Sequence, residues 1–131
     1  MAETTWTPEE TYLLTERAYA LYKQGCYEEA AVIFEGLLGL DPISSYCRTA
    51  LAAACLAMGD AQRAAQQLTI LLEQRPADLE ARARRCEAYC DLGRWDEARQ
   101  DLAVLQRNGE RTHVPRLTCR LQAGRARIAE V

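Results

Sequence analysis

Apolar residues recur along this chain at helical spacing, as in Val32, Ile33, Phe34, Leu37, Leu38 and Leu40. Read with the breaks between them, the pattern predicts helices in pairs, at roughly 8–23 with 27–39, 45–58 with 61–74, and 79–92 with 95–107. Thr7-Pro8-Glu9-Glu10 opens the first helix with an N-cap, a proline at the first helical position and a reciprocal glutamate. Beyond Thr112 a last helix is expected over about 113–128, with Val114, Leu117, Leu121 and Ile128 in one stripe. Arginines fill much of its remaining surface. Such a helix reads as a lid on the exposed end of the preceding pair.

The breaks repeat. Gly25-Cys26-Tyr27-Glu28-Glu29-Ala30 returns as Gly59-Asp60-Ala61-Gln62-Arg63-Ala64 and as Gly93-Arg94-Trp95-Asp96-Glu97-Ala98, at intervals of 34 residues. Pro42 and Pro76 keep that interval, as do the capping types Ser44, Asp78 and Thr112. Each mark has a physical job. Glycine permits the left-handed residue where a helix ends and the chain reverses. The alanine lets two helices approach closely, the proline stops the second helix, and Ser, Asp or Thr caps the next.

A 34-residue helical hairpin resembles the tetratricopeptide repeat. The resemblance implies an all-α fold for residues 1–131: three tandem hairpins (11–44, 45–78, 79–112) in a short right-handed superhelix, plus the C-terminal capping helix. Tyr27, Trp95 and Phe34 occupy aromatic positions of the repeat. Its large position near each start holds Leu14, Arg48 and Arg82, and its small position Ala18, Ala52 and Cys86. In such arrays the first helix of each hairpin lines a concave face. The inward register then places there Tyr12, Thr15, Tyr19 and Tyr22, next Tyr46, Thr49, Ala53 and Leu56, and finally Glu80, Ala83, Glu87 and Cys90. Core positions on these helices are already taken by Leu14, Ala18, Leu21, Leu51, Ala52 and Cys55. The tyrosines are therefore expected to be groove anchors, offering rigid amphipathic area at low entropic cost. Glu80 and Glu87 would meet a basic residue of the ligand, while Arg63 and Gln67 lie on the convex side. Thr15, Tyr19, Thr49 and Ala53 stand where some co-chaperones of this type grip a terminal carboxylate, so no such clamp is expected.

Composition narrows the functional classes. An alanine- and leucine-rich chain with few β-branched residues favours helix. The net charge of −3 conceals a division: residues 1–78 hold 5 basic against 11 acidic side chains, and residues 79–131 hold 11 against 8. Arg111, Arg116, Arg120, Arg125 and Arg127 are expected to solvate the last helix, because no aromatics are interleaved as nucleic-acid binding would require. No apolar run approaches the roughly 18 residues of a membrane span, and Met1–Trp6 does not read as a signal peptide. A cytoplasmic protein is expected. With one histidine, no phosphate-cradling glycine loop and no nucleophile–base set, neither an enzyme nor a cofactor is indicated.

The residue order is also similar to the translocator-class (class II) chaperones of bacterial type III secretion. The likeness rests on Leu14, Ala18, Tyr19, Tyr22, Gly25, Tyr27, Glu28, Ala30, Phe34, Leu37, Leu40-Asp41, Ala53, Ala57-Met58-Gly59 and Glu87. It implies a non-enzymatic chaperone whose groove holds an extended apolar segment of a secreted translocator before export. Thr15 stands where that family often has an aromatic. Relatives use the region before the first repeat to form homodimers, and the resemblance leaves that open here. The alternative is a general tetratricopeptide scaffold joining soluble partners.

Six cysteines remain: Cys26, Cys47, Cys55, Cys86, Cys90 and Cys119. None forms a Cys-x-x-Cys, and zinc normally takes four ligands, so they read as small apolar packing residues. Elemental analysis is expected to find no stoichiometric zinc, and reducing agent to leave helical content unchanged.

Overall fold

In the computed structural model, which describes residues 6–129, seven α-helices follow one another. They are α1 (Pro8–Lys23), α2 (Tyr27–Leu40), α3 (Ser45–Ala57), α4 (Ala61–Gln74), α5 (Leu79–Asp91), α6 (Trp95–Arg107) and α7 (Val114–Ala129). Among the described residues there is no strand. Helices α1 to α6 form the three hairpins, each helix packing chiefly on its neighbours in sequence. The all-α tetratricopeptide architecture is thus present.

The repeated marks behave as their chemistry requires. Gly25, Gly59 and Gly93 have φ of 85°, 79° and 72°, the left-handed region that a side chain would strain. Ala30, Ala64 and Ala98 are completely buried, as are the small residues Ala18, Ala52 and Cys86 on the first helices. The Cys86 thiol also donates to the Ala98 carbonyl across the third hairpin at 3.3 Å. Thr7 and Glu10 form the reciprocal cap of α1, and Ser44 and Asp78 accept from the backbone N–H groups of Cys47 and Ala81.

Thr112 does not follow them. The carboxylate of Glu110 accepts from the backbone N–H groups of Thr112, His113 and Val114 and so caps α7 instead. The cause lies just upstream. Where the earlier repeats place a proline after the second helix, α6 ends on Gly109 (φ 69°), with Glu110 N–H returning to the Leu105 carbonyl. That is the ending used by the first helices, such as Cys26 N–H to Leu21, and it breaks the period at the third repeat.

Arginine at the large position works through a repeated device. Arg48 donates to the Pro42 carbonyl at 2.8 Å and to Gln67 at 2.7 Å. One period on, Arg82 donates to the Pro76 carbonyl at 3.0 Å and reaches Asp101 at 3.4 Å. Each arginine ties the preceding inter-repeat connector to the second helix of its own hairpin. Asp101 is 2% exposed and is further held by Arg85 through two bonds of 2.9 and 2.6 Å. A bidentate guanidinium supplies the hydrogen bonds that a buried carboxylate needs.

Helix α7 packs on both α6 and α5. Leu117 and Leu121 are buried in the cluster that contains Leu102 and Leu105, and Gly124 faces the Trp95 ring so closely that a Cβ would lie 2.2 Å from it. The Ile128 side chain lies outside the described residues. Burying a leucine is worth about 1.5–3 kcal/mol, and an unpartnered carboxylate there adds a penalty. The double variant Leu117→Asp, Leu121→Asp should therefore lower the thermal midpoint by about 10 °C or more. An unchanged midpoint would show that the lid contributes nothing.

Candidate functional site

Two adjoining cavities lie along the first helices of the hairpins, α1, α3 and α5. The first, of about 200 Å³, is bounded by Tyr19 and Tyr22 of α1 and by Tyr46, Thr49, Ala50 and Ala53 of α3. Phe34 of α2 and Arg84 of α5 complete its lining. A cavity of about 150 Å³ accommodates benzene, so this one has room for a single large apolar side chain. The second, of about 380 Å³, shares Tyr22, Ala53 and Arg84 with the first. It continues past Leu56 and Ala83 to Glu80 and Glu87, with His113 and Arg116 contributed by the α7 end. A larger depression of about 590 Å³ lies between the second helices α2 and α4, but Glu28, Glu29, Glu35 and Asp60 make much of its wall.

The tyrosines differ in what they can offer a ligand. Tyr19 and Tyr46 are 43% and 52% exposed. Burial and the adjacent Tyr19 push the Tyr46 phenol above its ordinary pKa. Lys23 lies 4.5 Å above the Tyr19 ring. Tyr22 is half-buried, packs against the core around Phe34 and meets Tyr27 edge-on at 5.3 Å, so it belongs to core and groove together.

Nine of the twelve inward-register residues line one cavity or the other: Tyr19, Tyr22, Tyr46, Thr49, Ala53, Leu56, Glu80, Ala83 and Glu87. Tyr12, 63% exposed, and Thr15, whose hydroxyl donates to the Thr11 carbonyl, line neither. Cys90 is buried rather than presented to the groove. The carboxylates are engaged within the chain. Glu80 Oε2 lies 2.8 Å from His113 Nε2, and Glu87 lies 3.4 Å from Arg116. Arg120 pairs with Asp91, so two of the α7 arginines grip α5 instead of standing free in solvent. Arg84, Arg116, His113, Phe34 and Ala50 were not foreseen; they come from the second helix, from the last helix and its connector, or from register positions next to the inward ones. The two residues expected on the convex side also have roles, Arg63 pairing with Glu35 and Gln67 accepting from Arg48.

Among the described residues, no group of three or more His, Cys, Asp or Glu is placed to hold a metal. All six cysteines are free thiols. Burial pushes Cys55 up to about 11, and the hydrogen bond with Cys90, reinforced by burial, raises Cys86 further. Both thiols are kept protonated and unreactive. Among the described residues no helix is long and apolar enough to cross a membrane.

The seven helices form a tetratricopeptide-like fold, and the comparisons agree. The tetratricopeptide-repeat family model matches residues 56–111. No curated protein matches the chain. The fold is similar to that of the Yersinia enterocolitica type III secretion chaperone SycD in complex with a peptide of the translocator YopD. That match has a TM-score of 0.79 and 21% identity over 92% of this chain and 96% of that one. PcrH from Pseudomonas aeruginosa matches with a TM-score of 0.77 and 18% identity, over 92% and 95% of the two chains. The first tetratricopeptide domain of Spaghetti (RPAP3), bound to an HSP90 peptide, matches at 0.78 and 21%, over 97% and 99%.

The link between Glu80 and His113 has a measurable signature. The hydrogen bond from His113, with its charge and that of Arg84, holds the Glu80 carboxyl below its ordinary pKa against the opposing effect of burial. A carboxyl depressed in this way stabilises the fold above its unfolded value, about 4.3, and the contribution is lost as the pH falls through the folded value. Because His113 is the sole histidine, its ring resonances are unambiguous. They should shift below about pH 4.3 by clearly more in the wild type than in Glu80→Gln, where Glu110 alone titrates beside the residue. The same acid shift in both proteins would remove Glu80 as its source.

Proposed function

We propose that the concave face holds an extended apolar segment of another polypeptide, and that the protein is a cytoplasmic chaperone of a secreted type III translocator. The observation that carries this reading is the apolar cavity that Tyr19, Tyr22 and Tyr46 form over Phe34. Two of those rings remain accessible while separate residues fill the core. The SycD complex with a YopD peptide and the PcrH complex with the chaperone binding region of PopD support the reading by likeness of fold. Its logic is thermodynamic. A segment destined for a membrane is an aggregation hazard in water, and a groove that covers it protects it by mass action, without any chemical step. A scaffold joining soluble partners is the second reading, favoured by the equally close likeness to the RPAP3 domain.

The test uses the two exposed rings, since Tyr22 also supports the core. Truncating a hot-spot tyrosine costs about 2 kcal/mol, a loss of affinity of roughly thirtyfold. Tyr19→Ala and Tyr46→Ala should each weaken, by that order, calorimetric binding of the partner that co-purifies with the chain. Their melting temperatures should stay near wild type, and the exposed α4 change Gln66→Ala should leave both quantities unaltered. Folded variants that bind normally would remove the groove as the site. A partner without long apolar helices would favour the scaffold.

A further inference from the structure

The two cavities share only one charged wall residue, Arg84. Its Nε is buried and has no hydrogen-bond partner among the described residues. The nearest carboxylate oxygen, Glu80 Oε1, stands 3.4 Å away without hydrogen-bond geometry, and the other oxygen of Glu80 is held by His113 at 2.8 Å. The Nε atoms of Arg48 and Arg82 are likewise buried and unpartnered, but the terminal nitrogens of those arginines are engaged where those of Arg84 are not. Arg48 makes two hydrogen bonds, Arg82 two and Arg85 three. The groove's acids are matched as well, Glu80 with His113 and, through the 3.4 Å ion pair, with Arg84 Nε, and Glu87 with Arg116. What the groove presents to an incoming segment is therefore an apolar cavity with a guanidinium in its wall whose Nε side meets Glu80 and whose terminal nitrogens make no hydrogen bond among the described residues.

Such a group is completed by a carboxylate, which accepts from the planar fork in a charge-assisted pair. We propose that the groove selects a segment in which an acidic side chain accompanies the apolar anchor. The anchor fills the cavity of Tyr19, Tyr22 and Tyr46, and the carboxylate lies on Arg84. This rests on the groove being the binding site, and it reverses the sequence-based expectation that Glu80 and Glu87 meet a basic ligand residue. In an extended chain, side chains two positions apart share a face at about 7 Å, so an apolar-x-acidic spacing suits a cavity that includes Arg84 in its own wall.

The experiment uses an array of ten-residue peptides, all amidated so that none carries a terminal carboxylate. Each contains leucine or phenylalanine anchors, with Glu, Gln or Lys two positions beyond an anchor, and retained sequences are measured again by fluorescence anisotropy. Hydrogen bonds to charged groups suggest that Glu peptides will bind about tenfold more tightly than their Gln counterparts. That ratio should fall towards one in Arg84→Gln and be partly kept in Arg84→Lys, with unchanged circular dichroism for both. Equal binding of Glu and Gln peptides, or a preference for Lys, would overturn the acidic selection. If Tyr19→Ala and Tyr46→Ala still weakened binding in that case, the groove reading would stand without it. Binding no stronger than that of a Tyr19→Ala, Tyr46→Ala double variant would overturn both.

Discussion

The contact on which this molecule depends is the close approach of paired helices at Ala30, Ala64 and Ala98. Each has no exposed surface, and each faces a hairpin whose first helix carries Ala18, Ala52 or Cys86 at the small position. Where helices meet on residues this small, there is no room between them for rings, and tight packing leaves little tolerance for an extra methylene. Larger side chains must sit to one side or the other. Phe34, Leu51, Leu68 and Leu105 go inward, while Tyr19 and Tyr46 emerge on the concave face. The groove is thus a by-product of how tightly each hairpin closes.

The same constraint explains the polar chemistry in the middle of the array. Arg48 and Arg82 stand where the repeat ordinarily has a large apolar residue, and their stems pack while their guanidinium groups find carbonyl and side-chain acceptors. Gln67 and Asp101 are those acceptors, one period apart, the second strengthened by Arg85. A buried carboxylate with three arginine contacts is a specific joint rather than a greasy one. It ties α5 to α6.

Much of this was legible in the sequence, because it is carried by residues whose physics is local. Turn glycines, closing alanines, caps and connector prolines each act within a few positions, and the helix bounds derived from them agree with the structure to within one or two residues. Thr112 misled, since a capping residue type says nothing of a competing carboxylate two positions earlier. The inward register placed Tyr19, Tyr22 and Tyr46 on the cavity but also named Tyr12, which lines none, and missed Phe34, which comes from the second helix. It also took Glu80 and Glu87 as free charges. Their partners, His113 and Arg116, lie about thirty residues away on or beside a helix whose tilt no repeat pattern encodes.

That tilt has a consequence for assembly. A solenoid whose last hairpin lay open would present a helical face fit to receive the first helix of another copy. Such head-to-tail contacts do not close, and so grow into filaments. By ending α6 on Gly109 rather than on a proline, the chain swings α7 out of the repeat register and fastens it across α5 through Arg116 and Arg120. A stacking surface becomes a terminus. One glycine and two ion pairs thereby help to fix the length of the array as well as its stability.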